Sequence, residues 1–192
     1  MTLGLALFAL LQGATAAPQT ETVFGIDLGK PPSAPQCQRD RWGIPEAPAD
    51  GMCWTLSEKV EDTAVGRVQS AHYRFAEDAQ PQIAINVDAQ LIDGNVERVE
   101  FQTLGAMAIP VVMDALRAKY GKPISEEKVP VQNRMGATFD GVEATWMRGK
   151  LSVVYHGITH QVDRGAVTIN TSLGHTLYLL EVEQERKKGT SL

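Results

Sequence analysis

Ile83-Ala84-Ile85-Asn86-Val87-Asp88-Ala89-Gln90-Leu91-Ile92, then Asp93-Gly94-Asn95, then Val96-Glu97-Arg98-Val99-Glu100-Phe101-Gln102-Thr103, is the stretch on which the fold turns. Ile83, Ile85, Val87, Ala89 and Leu91 alternate with Asn86, Asp88 and Gln90, the two-residue period of a strand with one face on a core. Asp93-Gly94-Asn95 is turn chemistry, and Val96 to Thr103 forms the return strand. A two-residue loop would set Val87 opposite Glu100 and Ala89 opposite Arg98, mixing core with charge. A three-residue loop sets Val87 opposite Phe101 and Ala89 opposite Val99, with Asn95 taking the left-handed conformation. The three-residue loop is expected.

A helix follows. Pro110 suits the first helical position, where a missing N–H costs nothing. Val112, Leu116 and Tyr120 then share one face at i, i+4 spacing, with Met113 and Ala115 beside them. Arg117 and Lys119 favour the C-terminal end of the dipole, Gly121 supplies the cap and Pro123 prevents continuation.

The second half reads as another meander. Val142, Ala144 and Trp146 lead to Gly149-Lys150, and Leu151, Val153 and Tyr155 lead away. A glycine-first two-residue turn pairs Trp146 with Val153 and Ala144 with Tyr155, so the apolar partners land on one face. At Gly157 the apolar parity switches toward Ile158 and Val162, which predicts a bulge or bend. Val167 to Thr171 is a last strand. His175 to Lys188 reads as a helix, although Tyr178, Leu180 and Val182 also alternate. Earlier in the chain, Val65 to Phe75 is a strand ending in turn residues around Asp78–Pro81. The class is α+β: a mostly antiparallel sheet of two hairpin or meander units, packed on one clear helix and a possible C-terminal helix. The order hairpin, helix, meander, helix suggests a duplication, although the halves do not align residue by residue.

Upstream, Leu3, Leu5, Leu7, Phe8, Leu10 and Leu11 form a short uncharged apolar run before Ala14-Thr15-Ala16. That is the form of an export signal over residues 1–16, cut between Ala16 and Ala17, because cleavage pockets admit only small side chains. The run is shorter than the ~20 apolar residues that cross a bilayer. No cysteine follows it to carry a lipid, so a soluble periplasmic or secreted product is expected. Residues 17–53 read as an irregular Pro- and Gly-rich arm with a short strand at Val23–Ile26, and residues 54–192 as a single domain.

Cys37 and Cys53 are the only cysteines among 192 residues. In an oxidising compartment this pair is expected to form a disulfide, contributing about 3 kcal/mol by closing a loop of about 15 residues. Trp42 and Trp54 flank it and are expected to pack over it. There is no Cys-x-x-Cys spacing for redox chemistry, and no nearby histidine to complete a zinc site.

The net charge of −5 argues against nucleic acid or an anionic membrane as the main partner. His156 and His160 have the spacing of a helical metal pair, but their neighbours favour a strand, which separates them by roughly 13 Å. His72 and His175 stand alone. Ser125-Glu126-Glu127-Lys128 matches a Ser-x-x-Lys acyl-transfer pattern but reads as a loop after a helix cap, not a helix start. Gly149-Lys150 lacks the rest of a phosphate loop. Asn170-Thr171-Ser172 is a glycosylation acceptor pattern. No catalytic, cofactor-binding or metal residue is assigned. A non-enzymatic interaction module is expected, binding another extracytoplasmic protein, with no nucleic acid and no integral membrane segment. The alternative is a small-ligand binder with a cleft between sheet and helix.

Overall fold

The structure is a computed structural model, and it describes residues 21–132 and 135–189. The expected export signal lies outside the described residues. The chain opens with a small hairpin, β1 (Thr22–Val23) and β2 (Ile26–Asp27). Where sequence suggests one short strand at Val23–Ile26, Phe24 and Gly25 therefore form a tight turn, both at positive φ. Val23, Ile26 and Leu28 enter the core, and the Phe24 ring meets Phe101 edge-on at 5.0 Å.

Eight further strands form one antiparallel sheet: β3 (Met52–Thr63), β4 (Gly66–Phe75), β5 (Val87–Ile92), β6 (Asn95–Thr103), β7 (Ser125–Gln132), β8 (Thr138–Arg148), β9 (Leu151–His156) and β10 (Gly165–Asn170). Their order across the sheet is β3-β4-β5-β6-β10-β9-β8-β7. Two four-stranded meanders thus meet at their last strands, β6 and β10, and the order mirrors about that seam. Helix α1 (Ile109–Tyr120) follows the first meander and α2 (Ser172–Gly189) the second. This is the α+β class, and the strand order repeats by halves. The helices break the symmetry by packing on opposite faces.

The parity of β6 shows why. Val99 and Phe101 point to the face where Val112, Met113, Leu116 and Tyr120 of α1 are buried, together with Val167, Ile169, Trp146 and Tyr155. Arg98 points to the other face and bonds α2. The first helix begins at Ile109, one residue before the predicted start, with Pro110 second, and Gly121 caps its C-terminus as the sequence predicts. Trp146 Nε1 donates to the Gly121 carbonyl at 2.9 Å, and Arg148 to that of Lys119 at 2.8 Å, which pins the end of α1 to β8. Burial raises the hydroxyl pKa of both Tyr73 and Tyr155 to about 12.

In the deciding hairpin, Val87 faces Phe101 and Ala89 faces Val99, as the hydrophobic pattern requires. The loop itself differs. Asp93 and Gly94 form a two-residue turn with φ of 50° and 85°, pairing Ile92 with Asn95 and Leu91 with Val96. Between those pairs and Gln90–Arg98 the register shifts by one, so Glu97 is a bulge that restores the core pairing. Asp93 rather than Asn95 takes the left-handed position, and its carboxylate accepts the Arg67 N–H at 3.0 Å. The regular pairing also begins at Val87, because Ile83 and Ile85 precede the strand in a turn-rich approach.

The second hairpin matches expectation, with Trp146 opposite Val153 and Ala144 opposite Tyr155. β9 ends at His156, and Gly157 bends away while donating to the Val142 carbonyl at 2.7 Å. The C-terminal segment is a helix. Thr171 receives the Gly174 N–H on its hydroxyl at 3.2 Å, capping α2. Gly174 lies so close to β6 that an added Cβ would sit 2.0 Å from the Glu97 carbonyl oxygen. Gly174→Ala raises intrinsic helix propensity by about 1 kcal/mol yet is expected to destabilise the protein by about 2 kcal/mol through overpacking. Urea unfolding checks the sign, and a stabilised variant would contradict this packing.

The edge strands escaped sequence reading. Residues 125–128 are not a loop but the start of β7, paired through Glu126–Ala144 and Lys128–Val142. Its charges and Pro130 suit an edge that needs only one partner. The opposite edge, β3, carries a register shift between Leu56 and Val60 that blurs its alternation.

Candidate functional site: the disulfide-closed loop

Cys37 and Cys53 are bonded, with Cα atoms 4.8 Å apart and a sequence separation of 16. Cys53 lies in β3 and is buried, so the bridge anchors the loop to the sheet edge. The base is further fixed where Cys37 donates to the Trp54 carbonyl at 2.9 Å and the Trp54 indole donates to Ala34 at 2.6 Å.

Above this base the Pro- and Gly-rich composition suggests few backbone hydrogen bonds, yet the loop carries its own network. Glu46 donates to Gln38 at 2.9 Å, Asp40 to Ile44 at 2.9 Å, and Gly43 to Asp40 at 3.0 Å. One carboxylate oxygen of Asp40 accepts the N–H groups of both Trp42 and Ile44, each at 2.8 Å. Arg39 donates to the Gly43 carbonyl at 2.7 Å. The result is a small closed hairpin whose tip is residues 40–44.

The two tryptophans part company there. Trp54 packs against the core, whereas Trp42 does not cover the bridge: it stands 72% exposed at the tip, with Ile44 57% exposed beside it. The guanidinium of Arg41 lies 5.0 Å from the Trp42 ring, within cation–π range. A large apolar ring in water on a short, internally bonded loop is a ready-made anchor. Its presentation costs little further conformational entropy on docking.

The other candidates are placed as follows. His156 ends β9 with Nδ1 3.5 Å from the Glu143 carboxylate, while His160 is exposed in the following loop, so the two do not share a ligand site. His72 Nδ1 bonds Asp88 at 2.6 Å on the open polar face of the sheet. Glu100 stands directly across from Asp88. Desolvation raises the Glu100 pKa, opposed by Arg98, with Asp88 adding to the rise. His175, which sequence leaves alone, meets the Ser152 hydroxyl at 3.1 Å. Ser152 is only 2% exposed, so the hydroxyl of that pair is covered by α2. Asn170 is fully buried and accepts from Arg98 at 2.9 Å, so the folded protein does not present the glycosylation pattern at its surface. Among the described residues no trio of His, Cys, Asp or Glu is placed to hold a metal ion.

The space between sheet and α1 is filled by core side chains. Near α2 there is a groove of about 480 Å³ with a lining more polar than apolar, Lys59, Asp62, Gln69, Gln90 and Glu181 beside Val68, Leu177 and Leu180, unlike the mostly apolar pockets that hold small ligands. Comparison with protein-family models, curated proteins and solved structures finds no match. The site is therefore read from its own chemistry.

Proposed function

We propose that this chain is an exported, non-enzymatic interaction module that docks through the tip of its disulfide-closed loop onto another extracytoplasmic protein. The carrying observation is Trp42: a 72% exposed indole on a hairpin fixed by a disulfide and the Asp40 turn. Tryptophan and arginine dominate the energetics of protein interfaces when they fill a desolvated pocket. The tip also carries local positive charge, from Arg39 and Arg41, on a chain of net charge −5. Asp40, whose carboxylate accepts two backbone N–H groups, offsets one of these charges and leaves the tip with a small positive excess. The complementary partner presents an apolar pocket with an acidic rim.

Export is the companion reading. It rests on the apolar leader over residues 1–16 and on a disulfide, which persists outside the cytoplasm. No helix among the described residues is long and apolar enough to cross a membrane.

The test is a purified pair. A partner is identified by photo-crosslinking from a probe at position 44, which leaves Trp42 in place, then titrated against wild type, Trp42→Ala and Arg41→Glu. Trp42→Ala is expected to weaken binding about 30-fold or more, the hot-spot scale, with unchanged thermal stability. Arg41→Glu is expected to lose affinity more steeply at low salt. Equal affinity for all three proteins would remove the loop from the interface.

A further inference from the structure

Arg98 carries only donors, and that fixes the direction of a hydrogen-bond chain running under α2. Its Nε donates to Asn170 Oδ1 at 2.9 Å, so the amide nitrogen of Asn170 is the group that turns to Ser152, where it donates to Oγ at 3.4 Å. A hydroxyl has one proton to give. The Ser152 proton is directed to Nδ1 of His175, 3.1 Å away, and no other acceptor for it is present among the described residues. Nδ1 must therefore accept, which requires the neutral ring with its proton on Nε2. Ser152 and Asn170 are both buried, so solvent does not stand in for a missing partner.

A protonated His175 meets three obstacles here. Its Nδ1–H would point at Ser152 Oγ and strand the serine proton in a buried site. It would add a cation next to Gly174, whose carbonyl already accepts from the Arg98 guanidinium at 3.2 Å. It would also stand in the first turn of α2, just past the Thr171 cap, where the dipole presents its positive end and no acidic residue offsets it. Lys150, whose carbonyl accepts from Ser172 at 3.3 Å, flanks the same helix end.

We propose that His175 is an acid-sensitive latch: α2 is held on the sheet while the ring is neutral and is released when the ring gains a proton. The hold is complete above the pH range in which imidazole titrates and is lost as pH falls through it. The other charged groups facing this end of α2 do not produce the same response. β9 and β10 present the uncharged Ser152 and Asn170, with His156 at the far end of β9. On β6, Glu97 is bonded to Thr171, and Arg98 holds Glu181 of α2 itself. Lys59 and Asp62 of β3 meet α2 across the groove beside Glu181. Carboxylates as a class take up protons at lower pH than imidazole. Glu100 is held above its usual range, chiefly by desolvation, so its protonation favours the folded state and works against release.

The experiment follows the intact, disulfide-bonded protein from about pH 8 to about pH 5, the range across which imidazole titrates. Histidine ring NMR reads the tautomer and protonation of His175, and amide exchange, expressed as protection factors, reads both helices in the same samples. The Nε2–H tautomer is expected at the upper end. Protection of residues 175–184 is expected to fall by about tenfold or more, the scale of stranding one buried hydroxyl, in step with His175 protonation and with α1 unchanged. His175→Asn keeps an acceptor for the Ser152 proton but takes up none itself, and its α2 protection should stay constant. The His72→Asn/His156→Asn/His160→Asn variant should respond as wild type does. An Nδ1–H tautomer, constant α2 protection while His175 gains its proton, or the wild-type response in His175→Asn would overturn the proposal.

Discussion

Arg98→Leu is expected to destabilise the fold by about 3 to 5 kcal/mol, the scale for breaking a buried charged network from one side. The Arg98 side chain is only 6% exposed and lies 2.7 Å from Glu181. It also donates to Asn170 at 2.9 Å and to the Gly174 carbonyl at 3.2 Å, and its guanidinium lies 5.7 Å from the Tyr178 ring. Leucine leaves the buried Asn170 oxygen without that donor, while Glu181, 43% exposed, rehydrates. Apart from this network α2 has a thin hold on the sheet: Leu177 with Val68 and Ile92 is a small cluster compared with the core under α1. The loss is therefore expected to concentrate in the helix. Amides of residues 175–184 should lose hydrogen-exchange protection before those of α1. Urea unfolding gives the total, and the Arg98→Met/Glu181→Leu double variant should recover part of it, because a fully apolar replacement strands no charge. Uniform loss of protection across both helices would contradict this division.

The second large effect concerns the bridge. Cys37→Ala/Cys53→Ala is expected to cost about 3 kcal/mol on the chain-entropy scale for a loop of this length. The hairpin at residues 38–46 keeps its own hydrogen bonds, so its tip should persist as a local turn. What it loses is a fixed position relative to β3. Binding to the partner is therefore expected to weaken by about tenfold while the Trp42 contact survives, because ordering the loop is now deducted from the same contacts. Calorimetry should show the difference as a less favourable entropy. Unchanged affinity with reduced stability would confine the disulfide to folding.

Much of this architecture is legible from residues alone because central strands bury one face. The period of two between Val87 and Leu91, and the matched pairs Trp146–Val153 and Ala144–Tyr155, leave a single register compatible with a core. The same constraint is absent at the edges. β7 reads as a loop because Glu126, Glu127, Lys128 and Pro130 are tolerated where one side of the strand has no neighbour. The first hairpin shows a subtler limit. Its register is correct but its turn is not, since a two-residue loop plus a bulge at Glu97 gives the same downstream pairing as a three-residue loop.

The candidate site is legible only in its chemistry. Cys37 and Cys53 announce a bridge, but nothing in the spacing says that Trp54 turns inward and Trp42 outward. That choice follows from the pairing of β3 with β4, which places Trp54 opposite Tyr73 on the core face. It follows also from the Asp40 turn, which projects residue 42 away from the base.

The most direct test of the docking claim is the affinity of the purified partner for Trp42→Ala, measured by calorimetry beside a control, Met147→Ala, at an exposed site on β8. A loss of about 30-fold or more is expected for Trp42→Ala and little change for the control, with both variants folded. Wild-type affinity in Trp42→Ala would contradict it.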